Sequence, residues 1–253
     1  MRKYVCIGDV HGRFDLLWAA LRASFCADSE GRPTAPLKEG RYHLVLIGDL
    51  VHPKSREDYA RLAAVEPGEF DHRNPEHLAA VAGRTVAEIR RVRSYLEECG
   101  DSATILLGNH DWVAVEPGQV LEMSDGLEHL EFDPARGGVA LPDDLKEWFR
   151  GMPRELVVDG VQFSHAGPTP PMREFDMFFH ADDEPRTWWR KKPHLVEDVG
   201  HRFGVYGHTV MPDGIYLDPQ GRFAMVDALR GQGQYLEMIV GDGDPQLRVL
   251  ALG

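Results

Sequence analysis

The chain has 253 residues, 43% of them hydrophobic, enough to build a buried core. It carries 41 acidic against 28 basic side chains, and the net charge of −13 disfavours a nucleic-acid polymer or an anionic membrane as a general partner. A small anionic substrate stays open, because bound cations can override the global sign locally.

In chain order, the first predicted element is a strand at Tyr4–Ile7 that runs into Gly8-Asp9-Val10-His11-Gly12. Phe14, Leu17, Trp18, Leu21 and Phe25 then follow 3.6-residue spacing and predict an amphipathic helix. A second apolar run, His43–Ile47, ends at Gly48-Asp49-Leu50-Val51. A long helix is expected from about Pro75 to Cys99, with Asn74 as N-cap, Pro75 at the first position and Gly100 just past the end. Its apolar stripe includes Leu78, Val81, Ile89, Val92 and Leu96. A third run, Ala103–Leu107, ends at Gly108-Asn109-His110-Asp111, and a short helix follows at Asp143–Arg150, with Trp148 and Phe149 inward.

Beyond that point the pattern changes. Leu156–Val158 and Val161–Phe163 flank Asp159-Gly160 as a hairpin ending at Ser164-His165-Ala166-Gly167. Tyr206-Gly207-His208-Thr209 follows, then hairpins pairing Tyr216-Leu217 with Phe223–Val226 and Gln234–Val240 with Leu247–Leu252. Continuous β-prone runs read as strands buried on both faces, and open α/β sheets gather their sites at strand carboxyl ends. Strand–helix units followed by hairpins predict an α/β fold: a two-sheet β-sandwich flanked by helices. One domain is expected over 1–253, with insertions at about 52–74, 112–142 and 168–200.

Five short motifs supply Asp9, His11, Asp49, Asn109, His165 and His208, oxygen and imidazole donors suited to two adjacent divalent ions. Asp9 and His11 can point at one ion, Asp49 can bridge, and Asn109, His165 and His208 can complete the second shell. Turn preference accounts for a single Gly-Asp, but not for three histidines close to glycines in ordered motifs.

These motifs, spanning positions 8 to 209, resemble the calcineurin-like metallophosphoesterase superfamily and within it the phosphoprotein-phosphatase-type branch, with bacterial serine/threonine phosphatases and diadenosine tetraphosphatases as relatives. The resemblance implies the same six ligands with Asp49 bridging. It also implies in-line attack by a hydroxide held between the ions, and His110 as the general acid for the departing oxygen. Manganese is the first choice of ion, with iron or zinc as alternatives.

One departure stands out. Many relatives continue the second motif as Gly-Asp-x-Val-Asp-Arg-Gly; here His52 takes the place of the aspartate that orients the catalytic histidine, and Pro53 that of the phosphate-gripping arginine. Diadenosine-tetraphosphatase-type relatives also lack that aspartate. Lys54 or Arg56 can supply the missing cation, and Arg13 either touches phosphate or is a solvated helix-start residue.

The expected activity is hydrolysis of phosphomonoesters, with a phosphoprotein or phosphopeptide as leading substrate. The alternatives are a dinucleoside polyphosphate hydrolase and a non-catalytic metal-binding interaction module. His43, His72, His77, His129, His180, His194 and His201 read as surface or packing residues, while Arg173, Arg186 and Arg202 are open. Trp188-Trp189-Arg190-Lys191-Lys192 reads as an aromatic anchor for an insertion, or else as a base-stacking surface. Residues 116–144 hold eight acids against Arg136 alone, and read as a solvated insertion or an acidic lip that favours basic phosphopeptides. The three cysteines (Cys6, Cys26, Cys99) form no Cys-x-x-Cys pair, and neither a leader nor a membrane-length apolar run is found, so a cytoplasmic location is expected.

Overall fold

A computed structural model describes residues 2–116, 121, 123, 126–168 and 187–253. Arg173, His180, Arg186, the acids Glu122 and Asp125, and most of the 168–200 insertion lie outside the described residues.

The apolar runs form two five-stranded sheets. In the first, β1 (Arg2–Ile7), β2 (Tyr42–Leu46) and β3 (Ala103–Ile105) lie parallel, and β9 (Gln234–Val240) and β10 (Gln246–Ala251) join antiparallel beside β1. In the second, β5 (Val161–Ser164), β6 (Phe203–Tyr206) and β8 (Phe223–Met225) are parallel. Its edges are β4 (Glu155–Val158) and β7 (Tyr216–Leu217), each the antiparallel arm of a predicted hairpin. The C-terminal hairpin therefore belongs to the sheet of the first half, not to that of its neighbours in sequence.

Alternation along each strand explains why both faces are apolar. Tyr4, Cys6, Val45, Ile47 and Leu106 meet Phe163, Phe203, Val205 and Val226 of the second sheet. Val5, Ile7, Leu44, Leu46 and Ile105 turn the other way, onto the helices. Those helices include α1 (Phe14–Ala23), the single-turn α2 (Ala35–Lys38), α4 (Pro75–Cys99) and α6 (Asp143–Arg150), which bury Leu17 and Leu21, Leu37, Ile89 and Val92, and Leu145 and Phe149 respectively. The result is the α/β sandwich that the pattern predicts. All three cysteines are buried and unpaired. Among the described residues no helix is long and apolar enough to cross a membrane.

Three details differ from expectation. Phe25 does not continue the α1 stripe: the helix ends at Ala23, Phe25 adopts φ +59° and is 71% exposed, and Cys26 N–H turns back to Leu21 O. Trp148 is only partly buried, the inward position falling to Phe149. Two further helices appear beside the motifs, α3 (Arg56–Ala63), capped by Ser55 on Asp58 N–H, and α5 (Asn109–Val115). Both lack a long apolar stripe, the signal a periodicity reading needs.

Candidate metal centre

All six parallel strands deliver polar side chains from their carboxyl ends: Asp9 and His11 after β1, Asp49 after β2, Asn109 and His110 after β3, His165 after β5, His208 after β6 and Asp227 after β8. The two sheets thus aim two sets of loops at one place. All but His208 are buried, His208 being partly so.

His11 Nε2 lies 3.6 Å from Asp9 Oδ2 and 3.5 Å from Asp49 Oδ2. His165 Nε2 lies 3.2 Å from Asp49 Oδ2 and 2.9 Å from Asn109 Oδ1, which also meets His208 Nδ1 at 2.9 Å. The backbone sets the rings. His11 Nδ1 meets Val51 O at 3.0 Å and His165 Nδ1 meets Ile47 O at 2.9 Å, so each carries a proton there and turns Nε2 inward, where it would serve a bound cation as a lone-pair donor once no second proton occupies it. Asp9, Asp49 and His165 present ligand atoms within 4.8 Å of one another, and so do His11, Asp49 and His110; Asp49 belongs to both groups.

Close approach is possible because glycine stands where a Cβ would intrude. One on Gly108 would fall 2.0 Å from Asp49 Oδ1, and one on Gly207 would fall 2.3 Å from Asp9 Oδ1. Asp111 ties the second and third motifs together. Its Oδ2 accepts from Asp49 N–H (2.8 Å) and Gly108 N–H (3.2 Å), and its Oδ1 from Leu50 N–H (2.8 Å).

The electrostatics fit a bound cation. Burial, opposed by His165 but aided by Asp49, pushes Asp9 up to about 7. Burial also acts to raise Asp49, yet the facing His165, His11 and Lys54 hold it well below the usual carboxylate range. Burial acts to lower His165, but Asp49 and Asp9 override it and lift the imidazole to about 10. A proton on His165 therefore supplies positive charge between two carboxylates where a metal ion would supply more. Asp227 Oδ2 is buried with no hydrogen-bond partner among the described residues, and burial, with Asp9 second, raises its carboxyl to about 8. Oxygen and imidazole donors, a carboxylate common to both groups and an unmatched buried oxygen suit divalent ions.

His110 is held on both nitrogens: Nδ1 meets His52 Nδ1 at 3.0 Å, and Lys54 Nζ donates to Nε2 at 2.5 Å. Burial and then Lys54 drive its pKa well below the ordinary imidazole value. His52 stacks on His129 at 4.9 Å and 13°, and burial followed by Lys54 lowers His52 to about 3. Tyr59 OH lies 2.7 Å from His129 Nδ1 and 2.8 Å from Glu131 Oε2. Burial pushes Glu131 up to about 7 against its own backbone N–H and the Tyr59 hydroxyl.

Lys54 thus stands at the centre, whereas Arg56 Nη1 reaches Phe70 O and Arg13 pairs with Asp15, its Nη2 at 2.8 Å from Oδ2. Sequence reasoning missed Asp227, Asp111, His129, Tyr59 and Glu131. Asp227 had a signal, since it stands two residues past a strand as Asp9 does, but without an adjoining glycine. Within the segment expected to be solvated, Leu127, His129, Glu131 and Phe132 are buried, because they pack against the 52–74 segment and the site, and Leu130 is buried beside them. Trp188 and Trp189 are buried too, with Trp188 packed on Tyr206 and Phe223 and its Nε1 on Ala166 O, which matches the anchoring alternative.

A model of the calcineurin-like phosphoesterase family matches residues 2–228. No curated protein sequence matches the chain. Among solved structures, a cold-active protein tyrosine phosphatase superposes with TM-score 0.57 at 16% identity, covering 98% of this chain and 78% of that one. A protein serine/threonine phosphatase from Saccharomyces cerevisiae does so with TM-score 0.53 at 10% identity, covering 99% and 80%. A putative diadenosine tetraphosphatase gives TM-score 0.49 at 16% identity, covering 100% and 95%. At these identities the likeness is one of fold.

Proposed function

Because the chain belongs to the calcineurin-like phosphoesterase family and is a metal-dependent phosphoester hydrolase, we propose that it cleaves phosphomonoesters at a pair of divalent ions, with a phosphoprotein or phosphopeptide as its leading substrate. The observation that carries this reading is Asp49 Oδ2, which lies 3.5 Å from His11 Nε2 and 3.2 Å from His165 Nε2 and so faces both proposed ion positions. Asp9, His11 and Asp49 would hold one ion, and Asp49, Asn109, His165 and His208 the other, with manganese the first choice. When bound, such ions supply an activated water at neutral pH and neutralise charge on the phosphoryl oxygens.

The chain's own groups do the rest. Lys54 is the cation nearest His110 Nε2 and would turn its ammonium onto a phosphoryl oxygen, taking the role of the absent arginine as a point charge. That movement leaves Nε2 free to bear a proton and face the departing oxygen, while Nδ1 stays on His52. The ordinary imidazole value does not apply to His110 in this surrounding. A dianionic substrate provides the opposing charge that raises it and makes protonation possible.

The net charge of −13 favours a phosphorylated peptide with basic flanks over the more highly charged chain of a dinucleoside polyphosphate. The test is turnover of a phosphoserine peptide against diadenosine tetraphosphate by protein reconstituted with manganese. A higher kcat/KM for the peptide is expected. Preference for the dinucleotide would replace the substrate assignment, and turnover of neither under any divalent ion would remove the catalytic assignment.

A further inference from the structure

His52 stands just past the second motif and against His110, and the surroundings of that ring are built rather than incidental. His52 is 2% exposed and holds φ +60°, left-handed backbone that is uncommon outside glycine. One edge of the ring meets His110 Nδ1 at 3.0 Å. One face lies flat on His129, whose Nδ1 is fixed by the Tyr59 hydroxyl; that hydroxyl also reaches Glu131 Oε2. Tyr59 and Glu131 are themselves fully buried.

Donor and acceptor roles follow from the inventory. A lysine ammonium has no lone pair, so His110 Nε2 accepts from Lys54, and the His110 proton sits on Nδ1. His110 Nδ1–H then donates to His52 Nδ1, which leaves the His52 proton on Nε2. A neutral imidazole can accept this bond in the direction a carboxylate would, without adding a second negative charge next to Asp49.

We infer that His52 is the positioning residue for His110, its imidazole accepting the bond that orients the acid, and that His129, Tyr59 and Glu131 form the buried bracket that holds His52 in register. The inference rests on the reading of His110 as the general acid. A positioned acid matters most when the leaving group is poor, because an activated phenolate departs with little protonic help.

The experiment uses the full chain reconstituted with manganese and compares phenyl phosphate with 4-nitrophenyl phosphate. His52→Ala should lower kcat for phenyl phosphate by on the order of tenfold or more, a several-fold larger loss than for the nitrophenyl ester, with KM little changed. His52→Asn, which keeps a side-chain acceptor near the Nδ1 position, should recover much of that loss. The double variant His52→Ala/His110→Ala should lose no more than His110→Ala alone, because residues acting as a unit are non-additive. If His52→Ala does not fold, His52→Asn and Tyr59→Phe carry the comparison, Tyr59→Phe being expected to show a weaker loss with the same leaving-group bias. Equal losses for both esters in His52→Ala, or additivity in the double variant, while His110→Ala still discriminates between the esters, would overturn the inference. If His110→Ala itself fails to discriminate, the reading beneath it has failed instead, and the two failures are told apart by that variant.

Discussion

Of the described non-glycine residues, seven hold positive φ, and four of these are His11, Asp49, His52 and His208. Each such conformation costs on the order of 1–2 kcal/mol, and at the site, where His11, Asp49 and His52 are buried, the surrounding contacts hold it in place. His52 shares this property with the candidate ligands although it lies just past the second motif. Behind it, Glu131 gives a test at the same scale. Its folded pKa of about 7 lies above the ordinary 4.5, so the native state binds its proton more tightly than the unfolded chain does. The stabilising effect of that proton is complete below about pH 4.5 and is lost as pH rises through about 7. Glu131→Gln, which cannot ionise, should therefore gain stability relative to the parent between pH 5 and pH 8, by roughly 3 kcal/mol at most. Urea unfolding of both proteins at the two pH values measures it; a pH-independent difference would contradict the assignment.

At the scale of elements, the loops after β2 and β3 are held together by one carboxylate. Asp111, near the start of α5, accepts from the backbone of Gly108, Asp49 and Leu50. An amide offers only one accepting atom and turns an N–H₂ group at a donor, so Asp111→Asn should cost about 1–3 kcal/mol in thermal or urea unfolding and weaken metal uptake. An unchanged midpoint and unchanged metal content would show that the carboxylate does not rivet these loops. The same elements show what sequence makes legible. Tyr4–Ile7, His43–Ile47 and Pro75–Cys99 declare themselves because burial imposes continuous or 3.6-residue apolar patterns, and Asn74, Pro75 and Gly100 mark the ends of α4. The helices α3 and α5 do not, since one turn or two beside a site is held by tertiary contacts rather than by a stripe of its own.

At the scale of the whole molecule, the two-sheet sandwich was legible in the change from strand–helix units to hairpins, but the partner of the last hairpin was not. Nothing local tells Gln234–Val240 to cross back and lie against β1. The site divides in the same way. Asp9, His11, Asp49, Asn109, His165 and His208 were readable because each follows a strand and lies within two residues of a glycine. The Tyr59–His129 contact joins residues 70 apart, and no spacing rule reaches across such a distance. A chain with net charge −13 that buries Asp9, Asp49, Asp111 and Asp227 around one centre holds them either as neutral acids or against positive charge, and bound cations would supply that charge.

The most direct test counts that charge as metal: elemental analysis of purified protein reconstituted with manganese and dialysed, compared with Asp49→Asn prepared in the same way. About two ions per chain are expected in the parent, with loss of metal and of ester hydrolysis in the variant. A parent that retains no stoichiometric metal, or an Asp49→Asn protein that keeps both ions and full activity, would contradict the account.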